Sequence, residues 1–531
     1  MQMTDGEEVE AGHGLVRDAE FAKATRAEDA EEDTEKEPPP TDDEHGHGIK
    51  SGSTLRDATL AIIKSTIGPG ILYMPKGFQE GGILFSLPMI ILSYCLFSWG
   101  STRILAAWHV ERLSYAELMG RAFGPAGVSI VHFVIFCQQC GICLTYFIFV
   151  ATNLRELCSS ILGIDHVSLT TLCLWQLAVY IPLVMIRDIQ NFAKTNLIAN
   201  VLILYSLVVL SAIAAMEVFA GLACDDDNGG GDDGGGAGDM TATGHRQLVE
   251  IAGREPLSKH LLFNPSSFYL FIGTSTYIFE GNMALVVPLQ GAMREDLKTQ
   301  FPRLFVRTLG GIVVLYICFG LLNWMAYGDD TNAVLTTNLP EGHLKESVQL
   351  AYVIAVIFTF PLQLFPSIQT ARSVLPKLLG KVSSALGCDD WMPNMENNTD
   401  AVGGVDRSAL LSSGERGDAD DGAATKRQQR HVPRAKRLRG IAGRVLIVVA
   451  LCLIAIAERN SLTKILSLLG ALLGIPLAYV FPSLIHLRMV PDSPVEVKRA
   501  NFAVAALGVA FSVGCSVITL VTWNSDSSGG R

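Results

Sequence analysis

Few residues in this chain could do chemistry, and most of them stand where polarity is costly. Glu280 lies in an otherwise apolar run, FYLFIGTSTYIFEGNMALVVPLQGAM, with Gly273-Thr274-Ser275-Thr276 before it and Gly281-Asn282 after it. An ionisable side chain inside such a run is a functional candidate by default. It could take up and release a proton, or tie freed backbone N–H groups. A second run, LAIIKSTIGPGILYMPKGF, carries Gly68-Pro69-Gly70 near its middle. Pro69 removes a helical N–H and clashes with the preceding turn, while the flanking glycines permit non-helical backbone angles. N–H groups exposed at such a break suit a carboxylate, and unwound carbonyls and hydroxyls suit an ammonium or a cation. A ligand with both charges is an amino acid or another small zwitterion. Lys64, one turn before Gly68, either fills a cation site and disfavours sodium or snorkels to an aqueous vestibule. Tyr146 either covers a bound ligand or packs between helices. Thr274, Ser275 and Thr276 either contact ligand or bond between helices. Gln363, beside Pro361 and Pro366, is a further polar residue in an apolar run.

The elements that must position these residues follow from composition. The chain has 531 residues, 49% of them hydrophobic and 18% charged, whereas a soluble domain carries about 25% charged residues. The apolar residues fall in long uninterrupted runs. A spanning helix needs about 20 of them, which predicts about 11 spans: 57–78, 82–106, 128–153, 167–186, 196–219, 266–291, 304–326, 348–372, 441–458, 461–487 and 500–523. The runs do not alternate, so the expected class is all-α and integral to a membrane rather than a β-barrel. The two interrupted runs are spans 1 and 6. They take the same place in two successive sets of five and enter from opposite faces, the pattern of an inverted five-plus-five repeat with one extra helix. Paired interruptions of this kind point to a transporter binding site.

Charge sets the remaining organisation. Residues 1–54 hold 16 acidic and 5 basic side chains, which accounts for the whole net charge of -11. That segment has a Pro38–Pro40 run and few large apolar residues, so it reads as a disordered acidic tail, without a basic-then-apolar leader. The body, 55–523, is neutral and is followed by a short tail, 524–531. Arg103, Arg112, Arg121, Arg187, Lys194, Arg294, Lys298, Arg303, Arg307, Arg488, Lys498 and Arg499 follow even-numbered spans, which places those loops and the N-terminus in the cytosol. Residues 220–262 then form a flexible acidic, glycine-rich exoplasmic loop. Residues 375–440 form a flexible cytosolic one, ending in a basic cluster that rests on anionic lipid or only enforces the charge bias. Cys158 and Cys224 are near enough to the exoplasmic side for a disulfide. Cys137-Gln-Gln-Cys140 lacks redox context, His45-Gly46-His47 is too sparse for a metal, and the Asn397 sequon faces the cytosol. Asp406 to Leu411 (DRSALL) has the form of an acidic dileucine sorting signal. No metal site, cofactor motif or nucleic-acid surface is visible, and no acid/base pair suggests an enzyme.

Several segments resemble the amino acid/auxin permease family, especially its proton-coupled and vacuolar amino acid transporters. They are Ile67-Gly68-Pro69-Gly70 with Leu72 and Pro75, Tyr146-Phe147 with Asn153, Ile186-Arg187, Gly273-Thr274, and Phe279-Glu280-Gly281 with Pro288-Leu289. Asn338-Leu339-Pro340, Ser467 to Gly470 and Pro482 extend the likeness, so that it covers 54–523. The resemblance implies a LeuT-type fold and secondary active transport of amino acids by alternating access. It also implies coupling to protons, with sodium as the alternative. The implied substrate-contact set is Thr66, Ile67, Gly68, Pro69, Gly70, Tyr146, Gly273, Thr274, Ser275, Thr276 and Phe279, with Glu280 and Lys64 for proton coupling. Pro69 departs from the Thr or Ser of many relatives, and Ala61 stands where animal proton-coupled members tend to have a histidine. The expected location is a vacuolar or endolysosomal membrane, with the plasma membrane as the alternative. An amino-acid-sensing receptor is the competing function, and it would need the long cytosolic segments for output.

Overall fold

The computed structural model describes residues 53–164, 166–186, 192–226, 262–385 and 434–523, all within the unit that begins at Ser51. The acidic tail up to residue 52 and residues 524–531 lie outside the described residues, as do Arg187, the Asn397 sequon and the DRSALL segment. So do the side chains of Lys194, Cys224 and residues 280–282. Cys158 is a free thiol.

Helices account for the expected runs, because a chain in hydrocarbon must bond its own N–H and C=O groups. Span 1 is Leu55–Thr66, a 3-10 turn Pro69–Tyr73 and Met74–Gly81. Spans 2 to 5 are Ile83–Val110, Tyr115–Leu162, Leu169–Met185 and Phe192–Asp226. Span 6 is Phe268–Tyr277 followed by Glu280–Ala292. Spans 7 to 9 are Phe301–Tyr327, His343–Ala385 and Arg434–Ala457. Span 10 covers Leu462–Met489 and span 11 Val495–Val521. Among the described residues, 7 helices are individually long and apolar enough to cross a membrane; the two broken spans, the short fourth helix and the ninth, whose apolar part is Ile441–Ala457, are not among them. Thr54 and Ser114 cap spans 1 and 3 in reciprocal boxes with Asp57 and Glu117, which satisfies N–H groups that the first turn leaves free.

Three features depart from the sequence expectation. Span 5 stays helical to Asp226, span 8 to Ala385, and span 9 begins at Arg434, so helix extends into both expected loops. A helix nucleated in the membrane propagates cheaply through good helix formers such as Ala, Lys, Arg and Leu. Span 3 starts well before its apolar run and bends at Gly124, whose φ of 74° precedes Pro125. Span 10 contains two π-helical stretches, Leu469–Gly474 and Pro476–Val480. Pro476 has no N–H to give to the carbonyl four residues back, and the ladder widens there: Ile475 N–H bonds to the Gly470 carbonyl.

Spans 1 and 6 run antiparallel and are tied at both ends. At one end Ser53 N–H donates to Ala292 at 2.9 Å and Arg294 N–H to Ser53 at 3.3 Å. At the other, Leu84 N–H donates to Leu262 at 3.0 Å and Asn264 N–H to Gly81 at 3.4 Å. Gly82 makes the second junction possible, since its φ is 73° and a Cβ would meet the Leu262 backbone at 2.8 Å. This pairing sets the two breaks side by side, as an inverted repeat requires. Elsewhere, the Trp99 indole of span 2 donates to Asn501 Oδ1 of span 11 at 2.9 Å. That fixes the amide orientation, so Asn501 Nδ2 donates to His486 Nδ1 of span 10, also at 2.9 Å.

Spans 6 and 10 meet backbone to backbone. A Cβ on Gly273 would run into the Ser467 carbonyl, and one on Gly470 into the Gly273 carbonyl. Small residues let membrane helices approach this closely. Gly470→Ala is therefore expected to destabilise the protein by about 1–3 kcal/mol, seen as a lower unfolding temperature in detergent. An unchanged unfolding temperature would mean that the seam yields freely.

Candidate binding site at the paired helix breaks

The break in span 1 is open. The helix ends at Thr66, Ile67 takes φ -77° and ψ 100°, and Gly68 is extended at φ -138° and ψ -166°. Pro69 then starts the 3-10 turn, held by Ile71 N–H to the Gly68 carbonyl at 3.3 Å. Gly68 borders free space, because a Cβ built on it would meet no heavy atom within 4 Å. The same construction on Gly70 meets the Tyr277 ring at 3.6 Å. The exposed end of the helix is not left orphaned: Tyr316 of span 7 donates its hydroxyl to the Thr66 carbonyl at 2.8 Å.

The break in span 6 is of another kind. Gly273 to Thr276 are helical, and the interruption is confined to Ile278 and Phe279, both still near helical angles. The hydroxyls explain why the polar stretch stays wound. Thr274 donates to the Leu270 carbonyl at 3.0 Å, and Ser275 and Thr276 to Ile272 at 3.0 and 3.1 Å. Ser275 also meets Ser93 of span 2 at 2.9 Å, and Thr276 meets the Tyr479 hydroxyl of span 10 at 3.2 Å. Phe279 is fully buried and stacks on Phe97 at 5.2 Å. These residues and Gly273 sit at contacts between helices.

The structure thus divides the expected set. Gly68 borders the open space, and Gly70 packs against the Tyr277 ring. Thr66 is buried, with its hydroxyl donating to the Ile62 carbonyl at 2.7 Å. Tyr146, 6% exposed, gathers with Tyr73 beside span 1. Lys64 is exposed. Glu280 is the first residue of the second half of span 6, and its side chain lies outside the described residues. Sequence reasoning missed Tyr73 and Tyr277, whose rings meet edge to face at 6.4 Å. Their one sequence signal is position, three residues after Gly70 and one before Ile278.

Replacing Tyr316 by Phe removes the donor from the Thr66 carbonyl. A buried acceptor left unpaired costs about 1–3 kcal/mol, so Tyr316→Phe is expected to lower the unfolding temperature and speed amide exchange around Thr66. Exchange identical to the parent protein would show that the carbonyl is satisfied in another way.

The signature of the family described as transmembrane amino acid transporter protein matches residues 51–525. Vacuolar amino acid transporter 4 of Saccharomyces cerevisiae is 26% identical over 475 residues, covering 88% of this chain and 58% of the yeast protein. The chain therefore spans little more than half of that relative's length. Amino acid transporter ANT1 of Arabidopsis thaliana is 24% identical over 493 residues, covering 91% of this chain and 95% of the plant protein. Among solved structures, the nucleobase-cation-symport-1 family transporter Mhp1, closed around bromovinylhydantoin, is 11% identical with a TM-score of 0.44, covering 90% of this chain and 94% of its own. By the match over nearly its whole length, the chain belongs to the transmembrane amino acid transporter protein family.

Proposed function

We propose that this protein is a secondary active transporter that carries amino acids across a vacuolar or endolysosomal membrane by alternating access, coupled to protons. The observation that carries this reading is the open space beside Gly68, at the point where two antiparallel broken spans pass each other. Freed backbone groups there suit the carboxylate and ammonium of an amino acid. The relatives named as vacuolar amino acid transporters support the substrate and the membrane. The positive-inside bias of the Lys- and Arg-rich loops supports a cytosolic Ser53–Met293 end. In this mechanism the Ser53 tie and the Gly81 tie are the two gates, and each opens while the other holds. Glu280, at the start of the second half of span 6, takes up the coupled proton. Lys64 keeps sodium from the site electrostatically.

The test is uptake by the purified protein in liposomes, with a panel of amino acids and with pH or sodium gradients imposed separately. The expected result is accumulation driven by the pH gradient and indifferent to sodium. Binding without movement across the bilayer would instead support an amino-acid sensor. Glu280→Gln keeps the shape and removes the titrating group, so it is expected to abolish the response to the pH gradient. Retained pH-driven uptake in that variant removes Glu280 as the proton carrier.

A further inference from the structure

Two adjacent glutamines on span 3 have different surroundings. Gln139 accepts a hydrogen bond from the Gln363 amide of span 8, and nearby Ser367 donates to the Phe136 carbonyl at 3.2 Å. That face of span 3 is satisfied by the scaffold. Gln138 is 3% exposed, yet neither its amide nitrogen nor its carbonyl oxygen has a hydrogen-bond partner among the described residues. Buried polar groups in native structures nearly always find partners, and an exception calls for a specific reason.

Helix geometry shows where Gln138 faces. At about 100° and about 1.5 Å per residue, Thr145 lies about 20° round from Gln138 and about 10 Å further along the axis. Thr145, whose hydroxyl donates to the Ile142 carbonyl at 2.8 Å, lies near the Tyr73 side chain of span 1. Between them, Gly141 faces span 10 closely enough for a Cβ to run into the Leu469 side chain. The stripe 138–141–145 therefore faces the bundle interior, between spans 1 and 10. Spans 1 and 3 start from the same end, where Arg112 reaches Glu295 at 3.4 Å and Arg294 pairs with Ser53. About 10 Å back from Tyr73, at about 2 Å per residue in a 3-10 turn, is the level of Gly68. By this count Gln138 lies roughly level with Gly68.

We propose that Gln138 is a substrate-contact residue, and that its unpaired carboxamide selects amino acids whose neutral side chain carries both a donor and an acceptor. This inference rests on the transport reading above and adds the substrate class. The amide offers two donors through Nε2 and an acceptor through Oε1. A carboxylate side chain only accepts and leaves Oε1 unpaired. An ammonium only donates and leaves Nε2 unpaired, and an aliphatic side chain leaves both. A carboxamide or a hydroxyl pairs with both ends. Sites built around buried polar groups discriminate strongly against ligands that leave those groups unpaired.

The experiment measures competition for uptake into liposomes, together with thermal stabilisation of the detergent-solubilised protein. Glutamine, asparagine and serine are expected to outcompete leucine, lysine and glutamate by about tenfold or more. Gln138→Leu is expected to reduce the glutamine-to-leucine preference by about tenfold while leucine uptake persists. An unchanged preference in that variant, with transport intact, overturns the role of Gln138 and leaves the transport reading standing. Failure of the parent protein to move any amino acid overturns the transport reading itself. Should Gln138→Leu not fold, stabilisation of the parent protein decides the matter. Greater stabilisation by glutamine than by leucine at equal concentration supports the proposal, and equal stabilisation overturns it.

Discussion

In hydrocarbon every peptide N–H and C=O must find a partner within the protein, and the rest of this structure depends on how that demand is met where two helices stop midway. Span 1 breaks outright at Ile67 and Gly68, and such a break is stable only if neighbours cover the loose ends. Tyr316 does this for the Thr66 carbonyl. Span 6 meets the same demand differently, through a break of two residues that barely leaves helical geometry. The pair is asymmetric: span 1 supplies the open backbone, and span 6 supplies the wall.

The ties at the two ends are closely matched, with two backbone hydrogen bonds at the Ser53 end and two between Gly81–Leu84 and Leu262–Asn264. A typical bond of this kind contributes about 0.5–1.5 kcal/mol net. In the proposed mechanism these ties are the two gates, and matching them keeps either single-gate state from acting as a trap. The antiparallel crossing of the broken spans produces this balance, because each end joins the start of one span to the finish of the other.

Much of this was legible in the sequence. Apolar runs gave the helices, and Gly68-Pro69-Gly70 gave the open break, since proline chemistry is local and does not depend on neighbours. Features that depend on distant contacts were not legible. Gly273-Thr274-Ser275-Thr276 has the composition of a loosened segment, yet its hydroxyls bond to carbonyls within one turn and to Ser93 and Tyr479. Those partners are invisible without the fold. The π-helical stretches of span 10 begin where Gly470 fits closely against Gly273 and continue through Pro476. Tyr73 and Tyr277 acquire meaning from meeting each other at the span 1 break, and residue type alone would have left them as packing.

The contact of Gly273 with Ser467 and Gly470 has a mechanical consequence. Side chains can rotate to absorb a small displacement, but two main chains in contact have nothing to rotate. Sliding or tilting one of these helices against the other would drive the Ser467 and Gly273 carbonyls into the facing glycine backbones. Residues 268–277 and the first turns of span 10 are therefore locked together as one unit. Regular helix geometry gives way at Ile278–Phe279 on one side and in the widened ladder that starts at Leu469 on the other.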